Sequence, residues 1–333
     1  MNKRILVLGD MGSIWSKLFI DNVLLHEGDE VVLYPLWGVE DPFASFYADN
    51  HVTVYRDSHR LPLIGKIPKL RLWVRNRLNL RDLRAMGPFD VIQTNYLVPK
   101  SLFLSRGLKT ESNRWVCSFW GSDLLRASDH TLRVCARLMK RADKITLHKQ
   151  EMQERFERAA GTALSPKIVQ LRCGIIGLDA LEKAKTQTTP ARCKEHFGIA
   201  LNTLAVAVGY SAGEEHRHLP IVKELSKLPD GILRRLTLVF QMNYGGHREG
   251  YVQEVAKEAG KLPCQSVFVE KFLEPDELAL LRMACDAFIL SNPTDAYAGA
   301  LQENLFAGTI ALIPKWLRYP QLDELGVDYV SYD

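Results

Sequence analysis

Asp295 and Glu303 flank the start of a predicted helix that follows an apolar segment of the chain. The apolar run 287–290 predicts a buried parallel strand, and good helix formers extend from Gly299 to Gly308. The unpaired N–H groups and the macrodipole at a helix start attract an anion. Glu303 lies one helical turn beyond Gly299 on the same face, where its carboxylate can bind hydroxyl groups. The pattern therefore predicts a nucleotide site, with phosphates on the N–H groups and a ribose on Glu303.

A second candidate loop follows the strand predicted at 203–208 and contains His216, Arg217 and His218 just before a predicted helix. Positive charge at this position would stabilise the charge that grows on a phosphate leaving group. A protonated histidine suits that task, although a helix N-terminus lowers the pKa of a histidine beside it. The alternative is that both histidines are ordinary surface residues of a polar loop.

A third loop, 241–246, follows the strand predicted at 236–240 and opens at the same edge of a parallel sheet. Tyr244 can stack on a base or a sugar, and Gly245 with Gly246 allows the backbone to approach a ligand. Two adjacent glycines are equally typical of an ordinary turn.

Two loops in the first half of the chain contain further candidate residues. Gly12, after the first predicted strand, can direct a backbone N–H group at a sugar or phosphate, but a strand-to-helix turn also needs glycine for its own conformation. Asp123 follows another buried strand within the polar sequence 120–123 and can bind hydroxyl groups of a sugar or an acceptor. Its alternative role is to cap the helix that follows.

The stretch 66–84 is strongly basic, with seven cations and one acid in a chain whose net charge is only +4. Cations alternate there with apolar residues at helical spacing, which predicts an amphipathic helix. Such a helix can lie on an anionic membrane or hold a polyprenyl diphosphate acceptor, and it can equally pack on the sheet with its cations in solvent. No recognition motif for nucleic acid accompanies it. The candidate contact residues are Lys69, Arg71, Trp73, Arg75 and Arg77.

Strand and helix patterns alternate along the whole chain, which indicates an α/β fold with parallel sheets. The length of 333 residues is typical of two domains, and a second half restarts at the strand 203–208. We predict a first Rossmann-like domain at 1–177, a connection at 178–201 and a second Rossmann-like domain at 202–333. The parallel sheets are expected to face each other across a cleft.

Composition and spacing argue against several classes of protein. No window approaches the roughly 18 consecutive apolar residues of a membrane-spanning helix, and the first apolar run is too short for a signal peptide. Six scattered cysteines are typical of reduced thiols in a cytoplasmic protein. The sequence has no Asp-x-Asp pair and no clustered metal ligands. Only Gly9 and Gly12 stand where a dinucleotide fingerprint needs three glycines, which disfavours a nicotinamide dehydrogenase.

The spacing Asp295-x7-Glu303, followed by Asn-Leu-Phe-Ala-Gly308, resembles the Glu-x7-Glu motif of retaining GT-B glycosyltransferases, especially glycosyltransferase family 4. The likeness covers most of the chain and is greatest to bacterial enzymes that build capsule, O-antigen or related surface polysaccharides. Asp295 replaces the family's first glutamate, and Tyr210 stands where the family usually has an arginine. The other segments that resemble the family are Leu273-x3-Glu277-Leu278, Cys285-Asp286-Ala287, Thr294-Asp295, Phe89-Asp-Val-Ile92, Phe119-Trp-Gly-Ser-Asp123 and Arg172-Cys-Gly-Ile175.

The resemblance implies a GT-B fold and a hexosyltransferase-type enzyme of class EC 2.4. It would move a sugar from a nucleotide-sugar donor to a polysaccharide or lipid-linked acceptor, with retention at the anomeric carbon. No cofactor is expected, since the nucleotide-sugar is a substrate. No metal is expected either, since the helix dipole and nearby cations would take its place. The first domain would bind the acceptor in the cytoplasm, at the inner face of the cell membrane if the basic helix docks there.

The resemblance also assigns roles to single residues. Glu303 would hold the donor ribose, and Asp295 would meet the sugar and the diphosphate. His218 would stand beside the leaving group, and Asp123 is the candidate base if the reaction inverts instead. The backbone N–H groups that would help bind the sugar and diphosphate are those of Ala298, Gly299 and Ala300.

Two other functions stay open on the sequence alone. A nucleotide-sugar epimerase of the same fold would convert the donor without an acceptor. A non-catalytic GT-B-like protein would act as a binding or assembly partner at the membrane. Chains of this fold usually finish with a helix that returns to the first domain, and no closing helix is predicted after the last strand near Tyr329.

Overall fold

A computed structural model describes residues 2–26, 28–37, 42–59, 68–171 and 174–333 of the chain. The chain forms two compact units, Met1–Cys173 and Gly174–Asp333, which we call unit 1 and unit 2. Each unit consists of one parallel sheet with helices packed against it. Part of the basic stretch, 66–67, lies outside the described residues, and so do Arg172 and Cys173 of the segment that resembles the family.

Unit 1 contains a seven-stranded parallel sheet in the order β3-β2-β1-β4-β5-β6-β7. Its strands are β1 (Arg4–Gly9), β2 (Glu30–Pro35), β3 (Thr53–Val54), β4 (Val91–Asn95), β5 (Arg114–Ser118), β6 (Lys144–Leu147) and β7 (Ile168–Gln170). Its helices are α1 (Ile14–Phe19), α2 (Ala44–Asp49), α3 (Pro68–Met86), α4 (Pro99–Leu108), α5 (Ser122–Leu125), α6 (Asp129–Leu138) and α7 (Gln150–Ala160). The central strands are apolar and almost fully buried because helices cover both faces of a parallel sheet.

Unit 2 contains a six-stranded parallel sheet in the order β10-β9-β8-β11-β12-β13. Its strands are β8 (Leu204–Val208), β9 (Leu236–Gln241), β10 (Gln265–Val269), β11 (Ala287–Ile289), β12 (Ile310–Pro314) and β13 (Val330–Tyr332). Its helices are α8 (Ile176–Gln187), α9 (Pro190–His196), α10 (His218–Leu225), α11 (Asp230–Leu233), α12 (Tyr251–Ala259), α13 (Pro275–Ala284), α14 (Gly299–Ala307) and α15 (Pro320–Glu324).

The segment 178–201, predicted as a connection between domains, folds as part of unit 2. It contributes most of α8 and all of α9, and buried residues such as Leu181 and Cys193 join the core on one face of the sheet. The opposite face is covered by α10 and α12, whose Val222 and Val255 pack against the strands. The helical periodicity of this segment is weak, so the apolar stripe formed by these buried positions is difficult to recognise in the sequence.

The strand order reverses at one place in each sheet, beside β1 and β4 in unit 1 and beside β8 and β11 in unit 2. Ligands of open α/β sheets bind outside the carboxyl ends of the strands at this point. The predicted class, two parallel-sheet Rossmann-like domains, is therefore confirmed. Within the described ranges, no helix is long and apolar enough to cross a membrane.

Candidate functional site

The reversal of strand order in unit 2 brings two of the predicted loops together. Gly209, at the end of β8, donates its N–H group to the carbonyl oxygen of Ile289, at the end of β11 (3.1 Å). Gly209 has φ +68°, and a Cβ atom there would lie 2.9 Å from His216 Cβ and 3.0 Å from His218 Nε2. Glycine is required at this position for both its conformation and its packing.

Asp295 uses one carboxylate oxygen, Oδ2, to hold the loop between β11 and α14. That oxygen accepts hydrogen bonds from the N–H groups of Tyr297 (2.8 Å) and Ala298 (2.9 Å) and from the Tyr319 hydroxyl (2.7 Å). Tyr297 has φ +73°, a left-handed conformation that a tyrosine rarely adopts. The carboxylate and the buried Tyr319 hydroxyl therefore fix a strained turn directly before α14.

The arrangement corrects one part of the predicted phosphate site. The N–H group of Ala298 is bonded to Asp295, so it is committed inside the loop and is not presented to a ligand. Gly299 and Ala300 form the first turn of α14, where N–H groups have no acceptor within the helix. These two residues form the helix start that remains suited to an anion.

Glu303 is buried on α14 and forms an ion pair that the sequence does not reveal. Its Oε2 accepts a hydrogen bond from Arg282 Nε on α13 (3.0 Å), and Arg282 Nη1 donates to Gln241 Oε1 at the end of β9 (2.8 Å). Its Oε1 faces α8, where a Cβ atom at Gly177 would lie only 2.3 Å away. A single arginine within the apolar helix 275–284 is the one sequence signal of this pair.

The three cationic candidates after β8 differ in charge and exposure. His216 and His218 are buried, whereas Arg217 is exposed and lies 5.4 Å from the centre of the Trp316 ring. His218 Nδ1 lies 3.0 Å from the Tyr251 hydroxyl on α12. Burial, and secondarily the neighbouring His216, lowers the pKa of His218 to about 3. The lowered pKa agrees in direction with the effect expected of a helix N-terminus, although burial is its main cause, and Arg217 is the permanent cation of this loop.

The loops after β8 and β9 pack directly against each other. Ala212 donates its N–H group to the carbonyl oxygen of Tyr244 (2.7 Å). Gly245 has φ +91°, and a Cβ atom there would lie 2.9 Å from Ser211 Oγ. The Gly245 position is therefore explained by packing between loops. The rings of Tyr210 and His216 pack in a T-shaped arrangement, with their centres 4.2 Å apart.

Tyr244 lies at the same edge of the sheet with two fifths of its surface exposed. Burial raises the pKa of its hydroxyl, Arg282 lowers that pKa, and Glu303 raises it. Tyr244 is therefore close enough to the pair of Arg282 and Glu303 for their charges to act on its hydroxyl, while part of the residue stays exposed. A ring in this position is available for stacking on a ligand.

Asp123 in unit 1 is committed to the backbone of two loops. Its Oδ1 accepts from the N–H groups of Trp120 and Gly121 (both 2.9 Å), and its Oδ2 accepts from that of Leu97 (2.7 Å). Burial raises the pKa of Asp123 to about 6, opposed by these N–H groups. Asp123 is buried, and the N-cap residue of α5 is Gly121, so Asp123 does not take the alternative role of N-cap. The carboxylate joins the loops after β4 and β5, which leaves it poorly placed to act as a base.

Gly12 also departs from its predicted role. Its N–H group donates to Asp10 Oδ1 (3.1 Å), which closes the turn between β1 and α1. That N–H group is therefore committed within the turn, because the neighbouring carboxylate already accepts from it. Across the described part of the chain, no group of three His, Cys, Asp or Glu side chains is placed to hold a metal ion.

The basic stretch forms the predicted helix, α3, and divides into two halves. Toward its carboxyl end, Leu80 and Leu83 are buried in unit 1. Toward its amino end, Leu70, Leu72 and Trp73 are exposed.

The predicted contact residues lie mainly in the exposed half of α3. Arg71 is exposed, and the Arg77 guanidinium lies 4.7 Å from the centre of the Trp73 ring. Arg75 differs, because its Nε donates to Asp57 Oδ2 (2.5 Å) and ties α3 to the segment after β3. The side chain of Lys69 lies outside the described part of the chain.

Solved structures similar to this chain include glycosyltransferases. No protein-family model and no curated protein matches this chain. Anabaena HepE in complex with UDP-glucose is 16% identical, with a TM-score of 0.72 over 99% of this chain and 85% of HepE. A glycosyltransferase from Rickettsia africae is 13% identical, with a TM-score of 0.72 over 100% of this chain and 84% of that chain.

A third similar structure widens the range of enzymes with this fold. The UDP-forming trehalose-phosphate synthase of Burkholderia xenovorans is 14% identical, with a TM-score of 0.65 over 100% of this chain and 88% of that enzyme. At such identities the likeness establishes the fold. The chain has the GT-B fold of these glycosyltransferases.

Proposed function

We propose that this protein is a glycosyltransferase that moves a sugar from a nucleotide-sugar donor to a glycan or lipid-linked acceptor. The observation that carries the proposal is the start of α14 beside the reversal of strand order in unit 2. There, the first-turn residues Gly299 and Ala300 lie one helical turn from the carboxylate of Glu303. A diphosphate on the helix start and a ribose on the carboxylate fit this spacing.

The roles of the neighbouring residues follow from their charge and contacts. Arg217 supplies the positive charge that offsets the leaving diphosphate, and Tyr244 offers an exposed ring to the base or the sugar. Asp295 acts as a positioning residue, since its Oδ2 is held by three donors of its own loop. We propose transfer with retention and without a metal ion, with the helix dipole and Arg217 in the place of the metal.

The similar solved structures indicate which donor to test first. HepE, which shares the fold, is known in complex with UDP-glucose, and the trehalose-phosphate synthase is UDP-forming. A uridine nucleotide is therefore the first donor to test. The acceptor is proposed to bind unit 1, and surface polysaccharide synthesis at the inner face of the membrane is the proposed setting.

The experiment that tests this function uses a panel of UDP-, GDP- and ADP-sugars. We expect sugars of one nucleotide class to raise the melting temperature of the protein. When an acceptor is present, the sugar should be transferred to it and the nucleoside diphosphate released. Conversion of the sugar without nucleotide release would instead indicate an epimerase. A shift without any turnover would indicate a binding protein, and no shift with any nucleotide would contradict the proposal.

The exposed half of α3 is proposed to contact an anionic membrane. Leu70, Leu72 and Trp73 are exposed beside Arg71 and Arg77. Each cation near an anionic surface contributes about 1 kcal/mol, so replacing both arginines by glutamine should lower binding about 30-fold. Sedimentation with phosphatidylglycerol-containing vesicles measures this effect, with pure phosphatidylcholine vesicles as the uncharged reference.

A matched pair of substitutions controls for total charge in the vesicle experiment. Arg133 and Arg137 are exposed on α6 of the same unit. Replacing them by glutamine changes the net charge equally and should leave vesicle binding close to that of the unchanged protein. Equal losses in the two double variants would show that total charge matters and that α3 has no special role.

A further inference from the structure

The buried pair of Arg282 and Glu303 is unusual for its surroundings. The neighbours of Arg282 on α13, Leu281 and Met283, belong to the apolar core of unit 2. Arg282 is only 3% exposed and Glu303 only 6%. A buried ion pair is weak evidence for stability, because the loss of hydration of both ions offsets their attraction. An apolar pair would fold as well, so the retained charges call for another explanation.

The geometry fixes the Glu303 carboxylate from two sides. Arg282 Nε binds Oε2 at 3.0 Å, and the same guanidinium is anchored to Gln241 on β9 through Nη1 at 2.8 Å. A guanidinium anchored at two places has little freedom to turn. On the other side, Oε1 lies close to Gly177, where any side chain would begin only 2.3 Å from that oxygen and displace it.

The charge of a diphosphate at the start of α14 would give an electrostatic reason for pairing Glu303 with Arg282. Glu303 lies one turn from the helix start where a diphosphate is proposed to bind, and two like charges at this separation repel. The guanidinium of Arg282 offsets the carboxylate charge while leaving its second oxygen able to accept hydrogen bonds.

We propose that Arg282 is a positioning residue for donor recognition: it holds Oε2 of Glu303 so that Oε1 is presented beside Gly177 to the hydroxyl groups of the donor ribose. This inference rests on the proposed function. Three residues on three helices would then recognise the ribose. Glu303 contacts it, and Arg282 and Gly177 hold the carboxylate of Glu303 in place.

The test compares a nucleoside diphosphate with its 2′-deoxy form by titration calorimetry. The probe is whichever of UDP, GDP and ADP raises the melting temperature most. We expect the unchanged protein to prefer the ribose form at least tenfold. In Arg282→Met this preference should fall to within about threefold, while affinity for the deoxy form stays nearly the same. A purely structural role would lower both affinities together and leave their ratio unchanged.

Two further variants keep the inference testable if Arg282→Met folds poorly. The double variant Arg282→Met with Glu303→Gln removes both charges, so neither is left buried alone, and it should also lack the preference. Gly177→Ala displaces the carboxylate with Arg282 intact and should reduce the preference at least fivefold. Gly231→Ala is the matched control, because a Cβ atom there meets nothing within 4 Å. It should keep the full preference.

The outcomes separate the inference from the function on which it rests. No binding of any nucleoside diphosphate would overturn the proposed function, and the inference with it. Binding without a ribose preference in the unchanged protein would overturn the ribose contact of Glu303 alone. A preference that survives in both Arg282→Met and Gly177→Ala would leave the ribose contact in place and overturn the positioning role.

Discussion

Replacing Asp295 by alanine is expected to destabilise unit 2 by about 3–5 kcal/mol and to abolish measurable sugar transfer. The substitution leaves the Tyr319 hydroxyl and two backbone N–H groups without their shared acceptor. Hydrogen bonds to a charged group contribute about 1.5–3 kcal/mol each, and their losses overlap at one atom. The strained conformation of Tyr297 would relax and take the start of α14 with it. Thermal and urea unfolding measure the loss.

The isosteric substitution Asp295→Asn separates structure from chemistry at this position. All three donors bind the same oxygen, so an asparagine carbonyl placed there can accept the same bonds. We expect activity within about tenfold of the unchanged protein. A neutral carbonyl oxygen accepts these hydrogen bonds less strongly than a carboxylate does, and this difference costs about 1–2 kcal/mol. A loss of more than a hundredfold with an unchanged melting temperature would instead make Asp295 a catalytic residue, as the family resemblance implies.

A second tyrosine–aspartate pair in the same unit serves as the control for Asp295. The Tyr329 hydroxyl donates to Asp323 Oδ1 at 3.0 Å on the surface. Exposed bonds of this kind contribute little, since water replaces the lost partner. Asp323→Ala should therefore change stability by less than about 0.5 kcal/mol. A similar loss in both variants would show that Asp295 has no special structural role.

Acid is expected to weaken unit 2 through His218. Burial first, and then the charge of His216, holds the pKa of His218 at about 3, opposed by Glu215. The unfolded histidine titrates near its ordinary value of about 6.5, so the unfolded state binds more protons between pH 6.5 and pH 3. Stability is therefore fully present above pH 6.5 and falls as the pH drops through this window. By pH 4 the loss amounts to about 3 kcal/mol.

The matched variant for this effect is His218→Gln, which keeps a polar partner for Tyr251 but does not titrate. The stability difference between it and the unchanged protein should grow by about 3 kcal/mol in favour of the variant from pH 7 to pH 4. Asp123 and the other titrating groups that do not interact with His218 are common to both proteins, so their contributions cancel in this difference. A difference that stays constant with pH would contradict the burial of a neutral His218, and the exposed His247→Gln provides the reference profile.

The order of elements could be predicted because the buried strands are nearly continuous apolar runs. The strands predicted at 203–208, 236–240 and 287–290 and the helix predicted from Gly299 to Gly308 lie within one residue of their observed bounds. Local departures from regular helix are harder to predict: directly after α1 the chain forms a π-helical turn at Ile20–Leu24.

The contacts within the site could not be predicted, because they join residues far apart in the sequence. Asp295 depends on Tyr319, and Glu303 depends on Arg282, and neither pair shares one element. His218 has an ordinary place at a helix start, yet the packing of Phe240 and Tyr251 around it decides its charge. Residue types and spacing predicted a candidate site, and only the tertiary structure shows which of its polar groups are committed to the protein itself.

The central claim is that the first turn of α14 and the loop after β8 bind the diphosphate of a nucleotide-sugar. The most direct measurement is the change in backbone amide NMR shifts when the selected nucleoside diphosphate is added. We expect saturable changes concentrated at Gly299, Ala300 and residues 209–213, with an affinity that weakens in Arg217→Ala. Absence of saturable shifts, or shifts confined to residues of unit 1, would contradict the claim.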